Sequence, residues 1–239
     1  LEGSYVMDFM LRIPHSSQIV GSLSAETERS LRGQIIRAFQ KGADRVEIRL
    51  DLLKRTEFSD SIRMLKNLAQ DLRKRIIITN RPVEQGGKFY GSAKERSALL
   101  ADVVAIVKPG MVDVEIDIAR MLKGLDAKKI VSWHDFLRTP SHSELEQIFS
   151  YASRDGDVVK IVTMANGTYD VMQILKLYET ARKLELVAFA MGYYGSISRV
   201  LCVIEGRGPM TYAYIDRPTA PGQFEITEMR QIFRNSRSH

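Results

Sequence analysis

Asp157-Val158-Val159-Lys160-Ile161-Val162-Thr163-Met164 reads as one strand, and Lys160 is the only charge between Val158 and Met164. A short β-branched run of this kind marks a buried parallel strand, covered on both faces. An ammonium placed there loses its hydration, and unless something compensates it the group tends to release its proton. A desolvated amine is what imine chemistry requires, because only the free amine attacks a carbonyl. A plainer reading stands beside this one, in which Lys160 snorkels from a strand end or pairs with a carboxylate.

Outward from that run, apolar strand candidates alternate with helix-period segments. Strands are predicted over residues 18–23, 45–50, 75–79, 111–116 and 129–132, then through Lys160, and over 186–191 and 210–214. Helices are predicted over 25–40, 59–73 with Ser59 as cap, 93–106, a short stretch to 124, from 141, 169–183, from 196, and 227–234. Ser141-His142-Ser143-Glu144 has the form of a capping box. Eight strand–helix units in ~220 residues are the signature of a single (β/α)8 TIM barrel of the α/β class, although a doubly wound sheet uses the same alternation. The first strand is not followed by Gly-x-Gly-x-x-Gly, which weakens the dinucleotide-binding version of that alternative. Residues 1–18 form a segment expected to cover one barrel end, and 19–239 the catalytic barrel.

The chain has 239 residues, 44% hydrophobic and 27% charged, enough for one sizeable core. It has no apolar run of ~18 residues or more, so no membrane span is expected, and its start lacks the pattern of a secretory signal. One cysteine, Cys202, excludes an internal disulfide framework and fits a reducing, cytoplasmic setting. Flanked by Val200, Leu201, Val203 and Ile204, it is expected in the core. The net charge is +6, but basic residues are scattered among acidic ones. The densest cluster, Arg230, Arg234 and Arg237, has no interleaved aromatics, so neither nucleic acid nor a membrane is the expected partner. Arginines at strand ends point instead to a small anionic ligand.

In such barrels the chemistry lies at the C-terminal ends of the strands. The second strand ends Glu47-Ile48-Arg49-Leu50-Asp51, and period-two alternation points its three charges to one face. These charges either form an ion network or hold a ligand. The third ends Thr79-Asn80-Arg81-Pro82, followed by Glu84-Gln85-Gly86-Gly87, a loop through which backbone can approach a ligand closely. The fifth runs into Ser132-Trp133-His134-Asp135-Phe136, which puts a histidine able to move protons near neutral pH at the strand's end. After the seventh come Gly192, Gly195 and Arg199, the last in the opening turn of a helix, where a guanidinium suits a carboxylate or phosphate. Thr219-Ala220-Pro221-Gly222-Gln223 has the composition of a lid. The sequence holds no metal-ligand spacing, no phosphate loop and no nucleophile elbow. A lysine and a histidine on neighbouring strands remain, suggesting imine formation followed by removal of an adjacent C–H proton.

Taken together, these motifs resemble the type I 3-dehydroquinate dehydratases, the Schiff-base enzymes of the shikimate pathway. The likeness runs from Ile19 to Ile232 with six motifs in order. The resemblance implies dehydration of 3-dehydroquinate to 3-dehydroshikimate, with Lys160 forming the imine and His134 acting as general acid and base. It implies Ser22, Glu47, Arg49, Arg81, Arg199, Thr219 and Gln223 as substrate-binding residues, and neither metal nor cofactor. It further implies a homodimer and, in some organisms, fusion to a shikimate dehydrogenase in a longer chain. Two positions depart from the family pattern. Gln85 stands where a glutamate often precedes the Gly-Gly pair, and Thr219 stands where serine is common. Two other readings stay open: a Schiff-base aldolase on the same barrel, and a non-catalytic barrel that keeps an anion site.

Overall fold

The run around Lys160 is a strand with a parallel neighbour on each side, and six of its seven residues are buried. The structure, a computed structural model, describes residues 16–181, 184–204 and 208–236. Within them lie β1 (Gln18–Ser22), β2 (Arg45–Arg49), β3 (Ile76–Thr79), β4 (Met111–Glu115), β5 (Lys128–His134), β6 (Val158–Met164), β7 (Glu185–Met191) and β8 (Met210–Tyr214). They form one parallel sheet in the order β7-β6-β5-β4-β3-β2-β1-β8. The sheet curls into a nearly closed TIM barrel; among the described residues no ladder joins β7 to β8.

Around the sheet run α1 (Glu28–Gln40), α2 (Phe58–Lys66), α3 (Gln70–Arg73), α4 (Ala93–Val107), α5 (His142–Ala152), α6 (Thr168–Thr180), α7 (Gly192–Gly195), α8 (Ser198–Ile204) and α9 (Ile226–Asn235). Short polar residues start several of them. Thr27 accepts the Ser30 N–H at α1, and Ser141 and Glu144 close the expected capping box at α5. An equivalent box, Ser92 with Glu95, opens α4.

Three expected helices differ. The one predicted over 59–73 is two: α2 begins at Phe58 without a cap from Ser59, and Ala69 is extended before α3. Between them Leu68 turns in to pack against the core. The helix expected to end at Gly124 is a single 3-10 turn, Ala119–Met121. The segment expected to start a helix near Ser196 holds α7 and α8, and Ser198 Oγ, bonded to Ala190 and Gly195, sits at their junction. Residues 1–15 of the expected N-terminal segment fall outside the described residues, as do Lys183, Arg237 and His239.

Register sets the depth of the chemistry. Lys160 lies opposite Ser132 on β5 and Val187 on β7, while His134 lies opposite Val162. His134 is therefore two residues nearer the C-terminal mouth, ~7 Å at the usual rise per strand residue. Alternation turns both toward the barrel axis, and sends Val159 and Ile161, each 0% exposed, against the helices.

Candidate active site

Lys160 is 4% exposed, yet it is not an isolated ammonium. Its Nζ lies 2.9 Å from Asp113 Oδ2 and 3.3 Å from Glu47 Oε1, and sits 3.9 Å from the centroid of the Tyr212 ring. Burial pushes the amine toward deprotonation, but Asp113 and Glu47 outweigh it and hold the pKa above the ordinary lysine value. The expectation that a dry Lys160 would shed its proton is therefore corrected. The strand is dry, but two carboxylates on other strands supply the compensation, so the resting group is an ammonium. In this respect the plainer reading, pairing with a carboxylate, holds.

The partners are themselves held. Asp113 accepts from Ser132 Oγ at 2.6 Å and meets Arg81 Nη2 at 3.1 Å. Burial alone would raise its pKa, but Arg81 and Lys160 dominate and keep the carboxyl well below the usual carboxylate range. Glu47 accepts from Ser22 Oγ at 3.1 Å and Thr79 Oγ1 at 3.2 Å. Arg81 Nη1 donates to Glu115 Oε1 and Ser132 Oγ, each at 2.8 Å.

Those two bonds use both Nη1 protons, so the 3.3 Å approach of Arg81 Nη1 to His134 Nδ1 is a contact rather than a donated bond. The imidazole is instead held by Gln85. Its Oε1 accepts the His134 backbone N–H at 3.1 Å and lies 3.1 Å from Nδ1. Because the backbone N–H fixes that oxygen toward the histidine, Nδ1 must carry the ring proton and Nε2 is left with its lone pair. Burial, then Arg81 and Lys160, hold the His134 pKa well below its ordinary value, so the ring is neutral. The one-turn helix Val83–Gln85 ends at Gly86, whose φ of 74° is left-handed, and this aims Gln85 inward while Glu84 stays exposed. A side chain at Gly86 would strike Phe136, and one at Gly87 would strike the Arg81 carbonyl. Both glycines are thus accounted for by tight packing within the protein.

All nine residues singled out from the sequence line one cleft: Ser22, Glu47, Arg49, Arg81, His134, Lys160, Arg199, Thr219 and Gln223. Asp51 does not share their face as alternation predicted. The chain leaves the strand at Arg49 into a 3-10 turn, Leu50–Leu52, which turns Asp51 sideways. From there it grips Arg49 through two hydrogen bonds and accepts the backbone N–H groups of Arg81 and Lys88. The expected lid is tied down. Gln223 Oε1 accepts from Thr219 and Ala220, and Pro221 O accepts from Gly192 N and Arg199 Nη2.

Arg199 differs from the other cations. It is 1% exposed and lies 4.5 Å over the Phe189 ring, and its Nε has no hydrogen-bond partner among the described residues. Among the described residues no carboxylate lies within ion-pair distance of it, and burial lowers its pKa to about 10. The sequence reading missed Asp113, Glu115, Tyr212 and Phe189. The first two carry a legible signal, since Met111-Val112-Asp113-Val114-Glu115 alternates as Glu47-Ile48-Arg49 does. Tyr212 and Phe189 look like ordinary core aromatics.

A TIM barrel with an ion-paired lysine and a neutral histidine in one cleft at the strand ends defines a barrel enzyme that acts on a small molecule. Residues 19–239 match the type I 3-dehydroquinase family. A 3-dehydroquinate dehydratase of Methanopyrus kandleri is 34% identical over 215 residues, 90% of this chain and 97% of that protein. The crystal structure of a 3-dehydroquinate dehydratase from Geobacillus kaustophilus superposes with a TM-score of 0.82 at 25% identity, covering 93% of this chain and 92% of that one. The dehydroquinate dehydratase and shikimate dehydrogenase of S. pombe AroM matches with a TM-score of 0.70 and 26% identity, over 90% of this chain but 44% of that longer one. The chain belongs to the type I 3-dehydroquinase family. Membership makes it a lyase of the shikimate pathway, in aromatic amino-acid biosynthesis, with 3-dehydroquinate dehydratase activity.

Proposed function

We propose that the dehydration proceeds through an imine between Lys160 and the C3 carbonyl of 3-dehydroquinate, with His134 as the proton carrier. The observation that carries this reading is the pairing of a buried, doubly ion-paired Lys160 with a neutral His134 whose Nδ1–H is occupied by Gln85. The raised lysine pKa fits this route better than it first suggests. Ammonium and protonated imine place the same positive charge on the same nitrogen, so Asp113 and Glu47 stabilise both. Only the free amine between them is disfavoured, and it need form only transiently, because the proton it releases departs with the carbonyl oxygen as water.

The sequence of events follows from that charge distribution. The amine adds to the carbonyl, water leaves, and the protonated imine forms. His134 Nε2 takes a proton from C2, and the electron pair moves into the imine to give an enamine. The C1 hydroxyl then leaves with that proton as water, and hydrolysis of the imine frees 3-dehydroshikimate and Lys160. Arg199 holds the substrate carboxylate, since it is the buried cation in the cleft that lacks an acidic partner among the described residues. Ser22, Glu47, Arg49, Arg81, Thr219 and Gln223 face the ring hydroxyls. A reducing, cytoplasmic setting is proposed from the single free, buried Cys202.

Borohydride reduction during turnover tests this. The expected result is a reduced adduct on the peptide containing Lys160, with enone absorbance in the unreduced reaction and no adduct in Lys160→Ala. Enone production without an adduct, or an adduct at another lysine, overturns the imine role. An adduct without enone supports the aldolase reading instead.

A further inference from the structure

Beneath the cleft, charges alternate in an unbroken line. Asp117 Oδ2 lies 2.5 Å from Arg96 Nη2, and Arg96 Nε lies 3.1 Å from Glu115 Oε2. Glu115 Oε1 lies 2.8 Å from Arg81, which meets Asp113 at 3.1 Å, and Asp113 meets Lys160 at 2.9 Å. The line begins at a half-exposed aspartate and ends on the proposed imine nitrogen. Arg96 is 4% exposed, comes from the first turn of α4 and does not line the cleft, so it cannot touch substrate. Its contact with Glu115 is at ion-pair distance but not aligned as a hydrogen bond, which makes it a purely electrostatic hold.

We propose that Arg96 is a positioning residue: by keeping Glu115 ionised it anchors Arg81, and through Arg81 it holds Asp113 and the imidazole of His134 in their working places. Glu115 is the weak link of the line. Burial pushes its carboxyl up to about 7, against the opposing pull of Arg81 and Arg96, with Asp113 on its own strand pushing the same way as burial. The groups that face it are therefore Arg81 beyond β3, Arg96 on α4, Asp113 on β4 and the neutral Ser132 opposite it on β5. When Glu115 takes a proton, Arg81 Nη1 loses its ionic anchor, and its hold on Asp113 and its place 3.3 Å from His134 Nδ1 loosen. Removing Arg96 removes one of the two cations that keep Glu115 charged, so protonation then occurs at higher pH.

The test is the pH dependence of kcat for dehydration of 3-dehydroquinate by the full chain. It rests on the assigned activity but not on the imine. Wild type is expected to lose turnover on the acid side of about pH 7, where Glu115 protonates. In Arg96→Met that limb moves up by ~1 pH unit or more, giving a roughly fivefold or larger loss at neutral pH that recovers in alkali. Arg96→Lys, which restores the charge, brings the limb back toward wild type. Glu115→Gln removes the limb in either background, and it serves alone if Arg96→Met does not fold. A loss in Arg96→Met by one factor at every pH, or a limb near pH 7 that survives Glu115→Gln, overturns the proposal. Borohydride trapping is run in parallel: its failure in wild type defeats the imine reading while leaving this pH comparison intact.

Discussion

The two sides of the cleft treat buried charge in opposite ways. On the β2–β6 side, Glu47, Arg81, Asp113, Glu115 and Lys160 interlock so that each charge has an opposite within 3.3 Å. On the β7–β8 side, Arg199 rests on Phe189 and bonds a backbone carbonyl, with no acid beside it among the described residues. A buried ion pair is close to neutral for stability, whereas an unpaired buried cation is a cost that folding must carry. On the proposed function, the difference separates groups whose charge state is set before substrate arrives from a group whose partner substrate would supply.

The largest way to break the comparison is at the interlocked side. His134→Ala should lower kcat by ~10²–10⁴, the usual cost of losing a general acid–base, while borohydride still traps substrate on Lys160. Trapping separates the roles because imine formation needs the lysine and the carbonyl, whereas C–H removal needs the imidazole. A fully active His134→Ala would mean that another group carries the proton.

The waiting side should respond in the other direction on stability. Arg199→Met keeps the packing on Phe189 and removes the uncompensated charge. We expect kcat/KM to fall ~10–100-fold, mainly through KM, because a ground-state anchor is lost. The same variant should resist urea better, by about 1 kcal/mol or more, since a buried charge has been replaced by apolar volume. If Arg199→Met is less stable than wild type and KM is unmoved, Arg199 is structural and the contrast between the two sides fails.

How much of this was legible follows from distance along the chain. β6 was readable because its β-branched run is local, and the barrel because eight such runs recur. Glu47, Arg49, Arg81, His134 and Lys160 were readable because charged and polar groups on or just after strands stand out against apolar neighbours, and Arg199 as a cation opening a helix, whereas Ser22, Thr219 and Gln223 were named as binding residues only through the resemblance. The charge state of Lys160 was not, since Asp113 and Glu47 lie 47 and 113 residues away and only the closed barrel brings them to its nitrogen. Asp113 sits inside β4 and Glu115, its last residue, lies within a strand expected to run to Ile116, so a search confined to strand ends passes over them. Asp51 misled because alternation holds only while the chain stays extended, and the chain turns at Leu50. The Gly-Gly pair looked like an opening for ligand, but Phe136 and the Arg81 carbonyl already occupy the space above it.

The smallest expected effect sharpens the comparison at Gln85, the neutral member of the interlocked side. Its carbonyl orients His134 but adds no negative charge to favour an imidazolium, whereas Arg81 and Lys160 both oppose one. Gln85→Glu should raise the His134 pKa by ~1–3 units, the range expected when an opposite charge is placed at hydrogen-bond distance. NMR titration of the His134 ring in the two proteins measures this, and an unchanged or lowered value in the variant refutes it. The consequence for folding has a definite sign. A histidine whose native pKa lies below its unfolded value of 6.5 binds its proton more readily when unfolded. The fold therefore loses stability as pH falls through that value, down to the native pKa. Raising the native pKa narrows this window, so Gln85→Glu should unfold at lower pH than wild type. Its turnover should change less than in either deletion, because the ring keeps its place and its Nδ1 proton while only its basicity moves.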